Sequence, residues 1–129
     1  MRGLLLDTLA FLWWTLDDAQ LSALAREAIA SPDNLVYVSA ATAWEIAIKA
    51  SLGRLEVPRD LEGFMAQEMR RSSFRPLAVD LRHALAVRNL PWHHRDPFNR
   101  LLVAQALQED LTLVSGDPRV TRYPVTVLW

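Results

Sequence analysis

Short apolar runs and longer amphipathic stretches alternate along the chain. The runs at residues 4–6, 35–38, 77–79, 112–114 and 125–128 have the length and composition of buried strands. Between them, apolar residues recur at helical spacing, which predicts helices over residues 9–16, 21–30, 39–51, 60–71, 80–89 and 96–110. This alternation predicts an α/β fold with a parallel sheet covered by helices on both faces.

The clearest sequence signal for the start of a helix follows a polar turn at residues 92–96. Asp96 and Pro97 fit an N-cap and the first helical position. Asp96 and Asn99 are three residues apart and therefore share one face of the first turn. Two interpretations stay open for this pair: the residues present oxygen ligands at the edge of a buried element, or they only shape the start of the helix.

Composition narrows the class of protein. The chain has 129 residues, of which 51% are hydrophobic, so we expect one globular domain spanning residues 1–129. It has no cysteine, and its apolar stretches are too short for a signal or membrane-spanning segment. We therefore expect a cytoplasmic protein that does not bind membranes. A net charge of −1 argues against a large nonspecific surface for polyanions.

Acidic and amide side chains recur where the predicted strands end. They are Asp7, Glu45, Asp96 with Asn99, and Asp117. Sites in parallel sheets form at the carboxyl ends of the strands, and carboxylates gathered there repel one another unless a cation lies between them. Oxygen ligands of this kind suit Mg²⁺ or Mn²⁺. The alternative is that each aspartate only caps a helix, although a glutamate flanked by apolar helix residues, as Glu45 is, is harder to explain in that way.

Four segments together resemble PIN-domain ribonucleases, above all the VapC-type toxins of bacterial toxin–antitoxin pairs. They are residues 5–8, 39–46, 94–106 and 114–117, in order along nearly the whole chain. The resemblance implies a three-layer α/β/α fold with strand order 3-2-1-4-5 and an endoribonuclease that depends on Mg²⁺ or Mn²⁺. It also implies a VapB-type antitoxin as partner, and assembly as a homodimer or as a toxin–antitoxin hetero-oligomer.

The resemblance also assigns roles to single residues. It implies that Asp7, Glu45, Asn99 and Asp117 are catalytic metal ligands and that Ser115 is a supporting hydroxyl. Asp96, one turn from Asn99, is a further catalytic candidate that could partly substitute for it, and Thr8 and Ser39 are candidate supporting residues. One departure concerns Asn99, which stands where the family has an aspartate; an amide keeps an oxygen ligand but loses a charge and cannot act as a base. We expect weakened activity, whether Asn99 is natural or an inactivating change.

Two further groups have open interpretations. Arg95 and Arg100, with His93 and His94, either hold RNA phosphates or are solvated or packed on Trp92. The adjacent aromatic residues Trp13 and Trp14 either mark a groove for the antitoxin or belong to the core.

The expected function is thus RNA cleavage by a toxin. Two rivals remain at this point: a catalytically dead module that binds RNA or antitoxin, and a nuclease of the same fold with no toxin role.

Overall fold

A five-stranded parallel sheet forms the centre of the protein. In the computed structural model, which describes residues 2–129, the strands are β1 (Arg2–Leu6), β2 (Asn34–Ser39), β3 (Arg75–Leu77), β4 (Thr112–Val114) and β5 (Val127–Leu128). They pair in the order β3-β2-β1-β4-β5. The α/β class and the expected strand order are therefore confirmed.

Six α-helices cover the sheet. They are α1 (Thr8–Thr15), α2 (Ala23–Ala30), α3 (Ala40–Ser51), α4 (Leu61–Arg71), α5 (Leu81–Ala86) and α6 (Pro97–Glu109). Short 3₁₀ turns follow α5 at Val87–Asn89 and precede β5 at Val120–Arg122. None of the helices formed by residues 2–129 is long and apolar enough to cross a membrane.

The central strand β1 separates two apolar cores. Leu4 and Leu6 point into one core, with Phe11 of α1 and Ile29 of α2. Leu5 points into the other, which is built largely from α6 and β4. All three leucines are completely buried, as expected for a strand covered on both faces.

The third strand lies two residues earlier than the sequence pattern predicted. The apolar run at residues 77–79 indicated a strand there, but the residues that pair with β2 are Arg75–Leu77. β3 is an edge strand, so its position depends on backbone pairing with one neighbour rather than on a buried apolar run. Pro76 is tolerated because an edge strand leaves some N–H positions unpaired. The carbonyl of Ala78 has already left the sheet and accepts a hydrogen bond from Gln105.

Candidate active site

The carboxyl ends of the central strands open into a polar cleft of about 380 Å³. Its acidic and amide lining comes from the residue after β1, from α3, from the start of α6 and from the loop after β4, and consists of Asp7, Glu45, Asp96, Asn99 and Asp117. Three cationic side chains share the same cleft, namely Lys49, Arg54 and Arg119. The structure therefore brings together all five residues for which the sequence predicted a catalytic role.

Asp7 lies at the bottom of the cleft, directly after β1. Its Oδ1 accepts the backbone N–H of Ala10 at 2.8 Å, which caps α1. The pKa of Asp7 is raised from 3.8 to about 6, chiefly by burial. The charges of Asp117 and Glu45 contribute to this rise, whereas the Ser115 hydroxyl and the Ala10 N–H act in the opposite direction. The cleft thus disfavours the ionised carboxylate in the absence of a cation.

Glu45 is buried on α3 with both carboxylate oxygens occupied. The Thr8 hydroxyl donates to Oε1 at 2.6 Å, and Lys49 Nζ lies 2.5 Å from Oε2. A second contact joins the hydroxyls of Thr8 and Thr42 at 3.3 Å. Thr8, one of the candidate supporting residues, therefore holds the Glu45 carboxylate in position.

Asp117 follows β4 and is held by two basic residues. Burial raises its pKa, but hydrogen bonds from the Arg119 side chain and backbone, and from His94, outweigh that effect and lower the pKa overall. The Oδ1 atom accepts the Arg119 backbone N–H at 2.9 Å, and His94 Nε2 lies 2.7 Å from Oδ2. Asp117 is therefore ionised throughout the neutral range.

His94 connects three of the predicted site residues. Its Nδ1 accepts the backbone N–H of Asp96 at 3.1 Å, so in the neutral ring Nε2 carries the proton and donates to Asp117. The Nδ2 atom of Asn99 lies 3.2 Å from the same Nε2; both atoms then carry hydrogen, so this is a close approach and not a hydrogen bond. Asp96 itself caps α6 by accepting the N–H groups of Phe98 and Asn99. Both interpretations of Asp96 are compatible with this geometry, because it caps a helix and also lines the cleft.

The two predicted supporting serines differ in what they contact. Ser115 is buried, accepts the backbone N–H of Asp117 at 3.2 Å and lowers the pKa of Asp7, so it lies between the two acids. Ser39 is also buried, but it caps α3 and bonds Gln105 Oε1 at 2.5 Å, away from the cleft lining. Ser39 thus acts on the site only through the start of α3.

The two predicted RNA-binding arginines lie in opposite environments. Arg95 is exposed but does not line the cleft. Arg100 is buried, donates to the carbonyls of Pro91, Val87 and Leu90, and packs 3.8 Å from the ring centroid of Trp92. For Arg100 the structure favours the second of the two interpretations, packing on Trp92, because both terminal nitrogens bond protein oxygens and the residue does not line the cleft. The ring of His93 packs against Tyr123.

The cations that do line the cleft were missed by sequence reasoning. Lys49 falls one helical turn after Glu45, which could have marked it, but an i,i+4 pair usually indicates only a solvated helix face. Arg54 and Arg119 belong to loops, where no periodic pattern indicates which way a side chain points. The sequence marked His94 only as a residue flanking the site. Its contact with Asp117 could not be predicted because the two residues lie 23 positions apart in the chain.

The acids share a cleft without already forming a compact ligand cluster. Among residues 2–129, the His, Asp and Glu set whose ligand atoms all lie within 4.8 Å of one another is Asp80, His83 and Glu109, at the contact between α5 and α6. In that set His83 bonds both the Asp80 backbone and Glu109, which makes it a connection between helices. Asp7, Glu45 and Asp117 are coupled through their charges, but Glu45 and Asp117 are each drawn toward a basic side chain.

The two tryptophans of α1 are half-buried, and each packs against another aromatic side chain. Trp14 donates its indole N–H to Ser72 and its ring packs against Phe74, while Trp13 packs against Trp129. The more exposed apolar residues of this region are Leu9 and Leu16. Neither tryptophan is fully buried, so both interpretations of the pair remain.

Comparison with known proteins agrees with this architecture. The family model described as PIN domain matches residues 4–125. Ribonuclease VapC16 from Mycobacterium tuberculosis is 44% identical over 50 residues, which are 39% of this chain and 36% of that protein. The chain thus matches about a third of the length of this curated relative.

Two solved structures resemble the whole chain. One is VapBC2 from Rickettsia felis bound to a DNA fragment from its promoter, with a TM-score of 0.72, 14% identity and 98% of both chains covered. The other is FitAcB from Neisseria gonorrhoeae, with a TM-score of 0.62, 21% identity, and 98% of this chain and 96% of that chain covered. The fold and the cleft of acids at the strand ends define a PIN-type protein. The chain belongs to the PIN domain family.

Proposed function

We propose that this protein is a VapC-type endoribonuclease toxin that depends on Mg²⁺ or Mn²⁺. The observation that carries the proposal is the convergence of Asp7, Glu45, Asp96, Asn99 and Asp117 on one cleft of a PIN domain. The resemblance to a named VapC ribonuclease gives the proposal its substrate class. A cytoplasmic place of action stays a prediction.

The donor set suits a hard divalent cation. The cleft supplies carboxylate and amide oxygens, and burial with like charges raises the pKa of Asp7, which a bound cation would reverse. Asp7, Asn99 and Asp117 would hold the ion, with Glu45 available once Lys49 releases it. When bound, such an ion activates water and stabilises the leaving oxygen in phosphodiester hydrolysis.

The protein's own part in this chemistry is positioning. The Ala10 N–H fixes one oxygen of Asp7, Thr8 fixes Glu45, and His94 fixes Asp117. Asn99 has no ionisable group, so the proton from water has to go to another acid or to solvent. This is the physical reason to expect weakened cleavage.

The test is cleavage of a mixed RNA pool by metal-stripped protein. We expect cleavage after addition of Mg²⁺ or Mn²⁺ and none in EDTA. Asp7→Asn is the matched variant because it keeps the oxygen that caps α1 while removing the charge. Loss of metal-dependent cleavage in this folded variant would support the proposal. RNA binding without cleavage by the wild-type protein would instead indicate a catalytically dead binding module.

The proposed partner is a VapB-type antitoxin. The similar solved structures are VapBC and FitAcB complexes, and the half-buried Trp13 and Trp14 beside exposed Leu9 and Leu16 offer an apolar surface on α1. Co-expression with the product of an adjacent small reading frame should suppress toxicity and protect α1 from hydrogen exchange. No toxicity and no such partner would favour a PIN nuclease with another role. Light scattering would decide between a homodimer and a hetero-oligomer.

A further inference from the structure

Lys49 reaches into the cleft from its rim and neutralises a buried acid. Its Nζ lies 2.5 Å from Glu45 Oε2, and 46% of its side chain is exposed, against 7% for Glu45. The other oxygen of Glu45 is bonded to Thr8. Both oxygens of Glu45 are therefore engaged, and Lys49 competes with a divalent cation for Oε2.

The two partners differ in their freedom to move. Glu45 is fixed by burial and by Thr8, whereas Lys49 has a flexible four-carbon stem and a side chain that is about half exposed. Lys49 can turn away without any change in α3. A buried carboxylate left without a cation is strongly unfavourable, so Lys49 leaves only when another cation takes its place.

We propose that Lys49 is an exchangeable counter-ion, which neutralises Glu45 in the free protein and binds a phosphate of the RNA once a divalent cation has replaced it. This inference rests on the proposed function. Its consequence is that the metal and RNA strengthen each other's binding, since each favours the arrangement in which Lys49 is released.

The other ion pair of the cleft lacks this freedom. Arg119 lies two residues from Asp117, and its backbone N–H bonds the same carboxylate at 2.9 Å. The guanidinium adds longer contacts of 3.2 and 3.3 Å. Asp117 would stay held by the loop and by His94 if the Arg119 side chain moved, so removing that side chain exposes no buried charge comparable to Glu45.

The first measurement is Mn²⁺ binding by calorimetry without RNA. Lys49→Met keeps the apolar stem and removes the competing charge, so Mn²⁺ should bind at least about twofold more tightly, because an exposed ion pair sets the lower limit of the effect and Glu45 is buried. Arg26→Met is the control, because it removes a cation paired with Asp17 on a surface outside the cleft. Its Mn²⁺ affinity should equal that of the wild-type protein.

The second measurement is RNA binding, followed by the anisotropy of a fluorescein-labelled mixed-sequence 12-nucleotide RNA in EDTA and in Ca²⁺. Ca²⁺ should tighten RNA binding by the wild-type protein more than by Lys49→Met, with a difference of at least about threefold. Lys49→Arg retains a phosphate-binding cation but holds Glu45 more firmly through its fork. It should therefore bind Mn²⁺ less tightly than Lys49→Met.

The outcomes separate this inference from the function on which it rests. If the wild-type protein binds Mn²⁺ but Lys49→Met binds it equally or less tightly, Lys49 only orients Glu45 and the inference is wrong. Equal effects of Ca²⁺ on RNA binding by both proteins would also overturn it. If the wild-type protein binds no Mn²⁺, both this inference and the proposed function fail. Thermal melts of each variant verify that the fold is intact, and Lys49→Gln replaces Lys49→Met if the latter melts early.

Discussion

His94 donates a hydrogen bond from Nε2 to Oδ2 of Asp117 across 2.7 Å. The tautomer that makes this possible is set by the backbone, because the N–H of Asp96 donates to Nδ1 of the same ring. A histidine just before α6 thus fixes an acid that follows β4.

Removal of His94 should weaken the site through Asp117. In His94→Leu, Asp117 loses one of its hydrogen-bond donors, so we expect Mn²⁺ affinity and cleavage each to fall about 10–100-fold, as is usual for groups that orient metal ligands. Calorimetry and initial cleavage rates measure the two effects. His94→Gln, which restores a donor, should recover part of both. His93→Leu is the matched control, and equal losses in both leucine variants would show that the effect is one of packing.

Asp7 should make the metal-free protein less stable as the pH rises. Its pKa is about 6 in the folded state against 3.8 ordinarily, so the folded state binds the extra proton between these values. The stabilising contribution is complete below pH 3.8 and is lost as the pH passes through 6. At pH 7.5, Asp7→Asn should therefore be more stable than the wild-type protein by roughly 2–3 kcal/mol. Urea unfolding in EDTA at pH 4 and pH 7.5 measures this, and a difference independent of pH would contradict it.

Asn99→Asp should strengthen the site. The new carboxylate would add a charged ligand in the cleft and a group able to accept a proton. Because affinity for a divalent cation rises with ligand charge, and a positioned base contributes 10²–10⁴-fold, we expect tighter Mg²⁺ binding and at least about tenfold faster cleavage. Cleavage time courses of both proteins across a Mg²⁺ titration measure the effect. Equal rates at every concentration would make Asp96 the working ligand and Asn99 a residue of the helix start.

Arg100 should matter for stability and Arg95 should not. Arg100→Met removes the side-chain donor from the carbonyls of Pro91 and Leu90 and one of the two donors from that of Val87, which should cost on the order of 3 kcal/mol. Arg95→Met changes an exposed side chain and should alter stability by less than about 0.5 kcal/mol. The urea unfolding midpoints of both variants measure these changes. Equal midpoints for Arg100→Met and the wild-type protein would refute a stabilising role for the buried Arg100.

Gly116 should tolerate no side chain while Trp129 is present. An added Cβ would lie 2.6 Å from the Trp129 ring, in the loop that carries Asp117. Gly116→Ala should cost about 1–3 kcal/mol and also lower Mn²⁺ affinity, because relief of the clash displaces Asp117. The double variant Gly116→Ala/Trp129→Leu should regain the affinity. If it binds Mn²⁺ as weakly as the single variant, the ring is not what constrains the loop.

The class of fold was predictable because it depends on periodicity. Strand β1 reads as a continuous apolar run since both of its faces are covered, and α6 begins where Asp96 and Pro97 predict. The edge strand β3 was misplaced by two residues because backbone pairing with β2 leaves no apolar signature. Local patterns thus define buried elements well and the edges of a sheet poorly.

The acids of the site were predictable for a related reason, since parallel topology collects strand ends at one edge. The directions in which the basic side chains point were not predictable. Arg100 and Arg119 both closely follow a site residue in the sequence. Arg100 nevertheless is buried beneath Trp92, whereas Arg119 bonds Asp117. Their directions depend on a loop conformation and on which carbonyls are left unpaired, and neither is visible in a residue pattern.

The position of Lys49 has a practical side, because it is the only lysine in the sequence. An amine-reactive dye, cross-linker or sensor surface will couple to the cleft wherever it does not couple to the amino terminus. Immobilisation through amines would block access to the cleft, whereas a single controlled label at this lysine would report on the cleft from within.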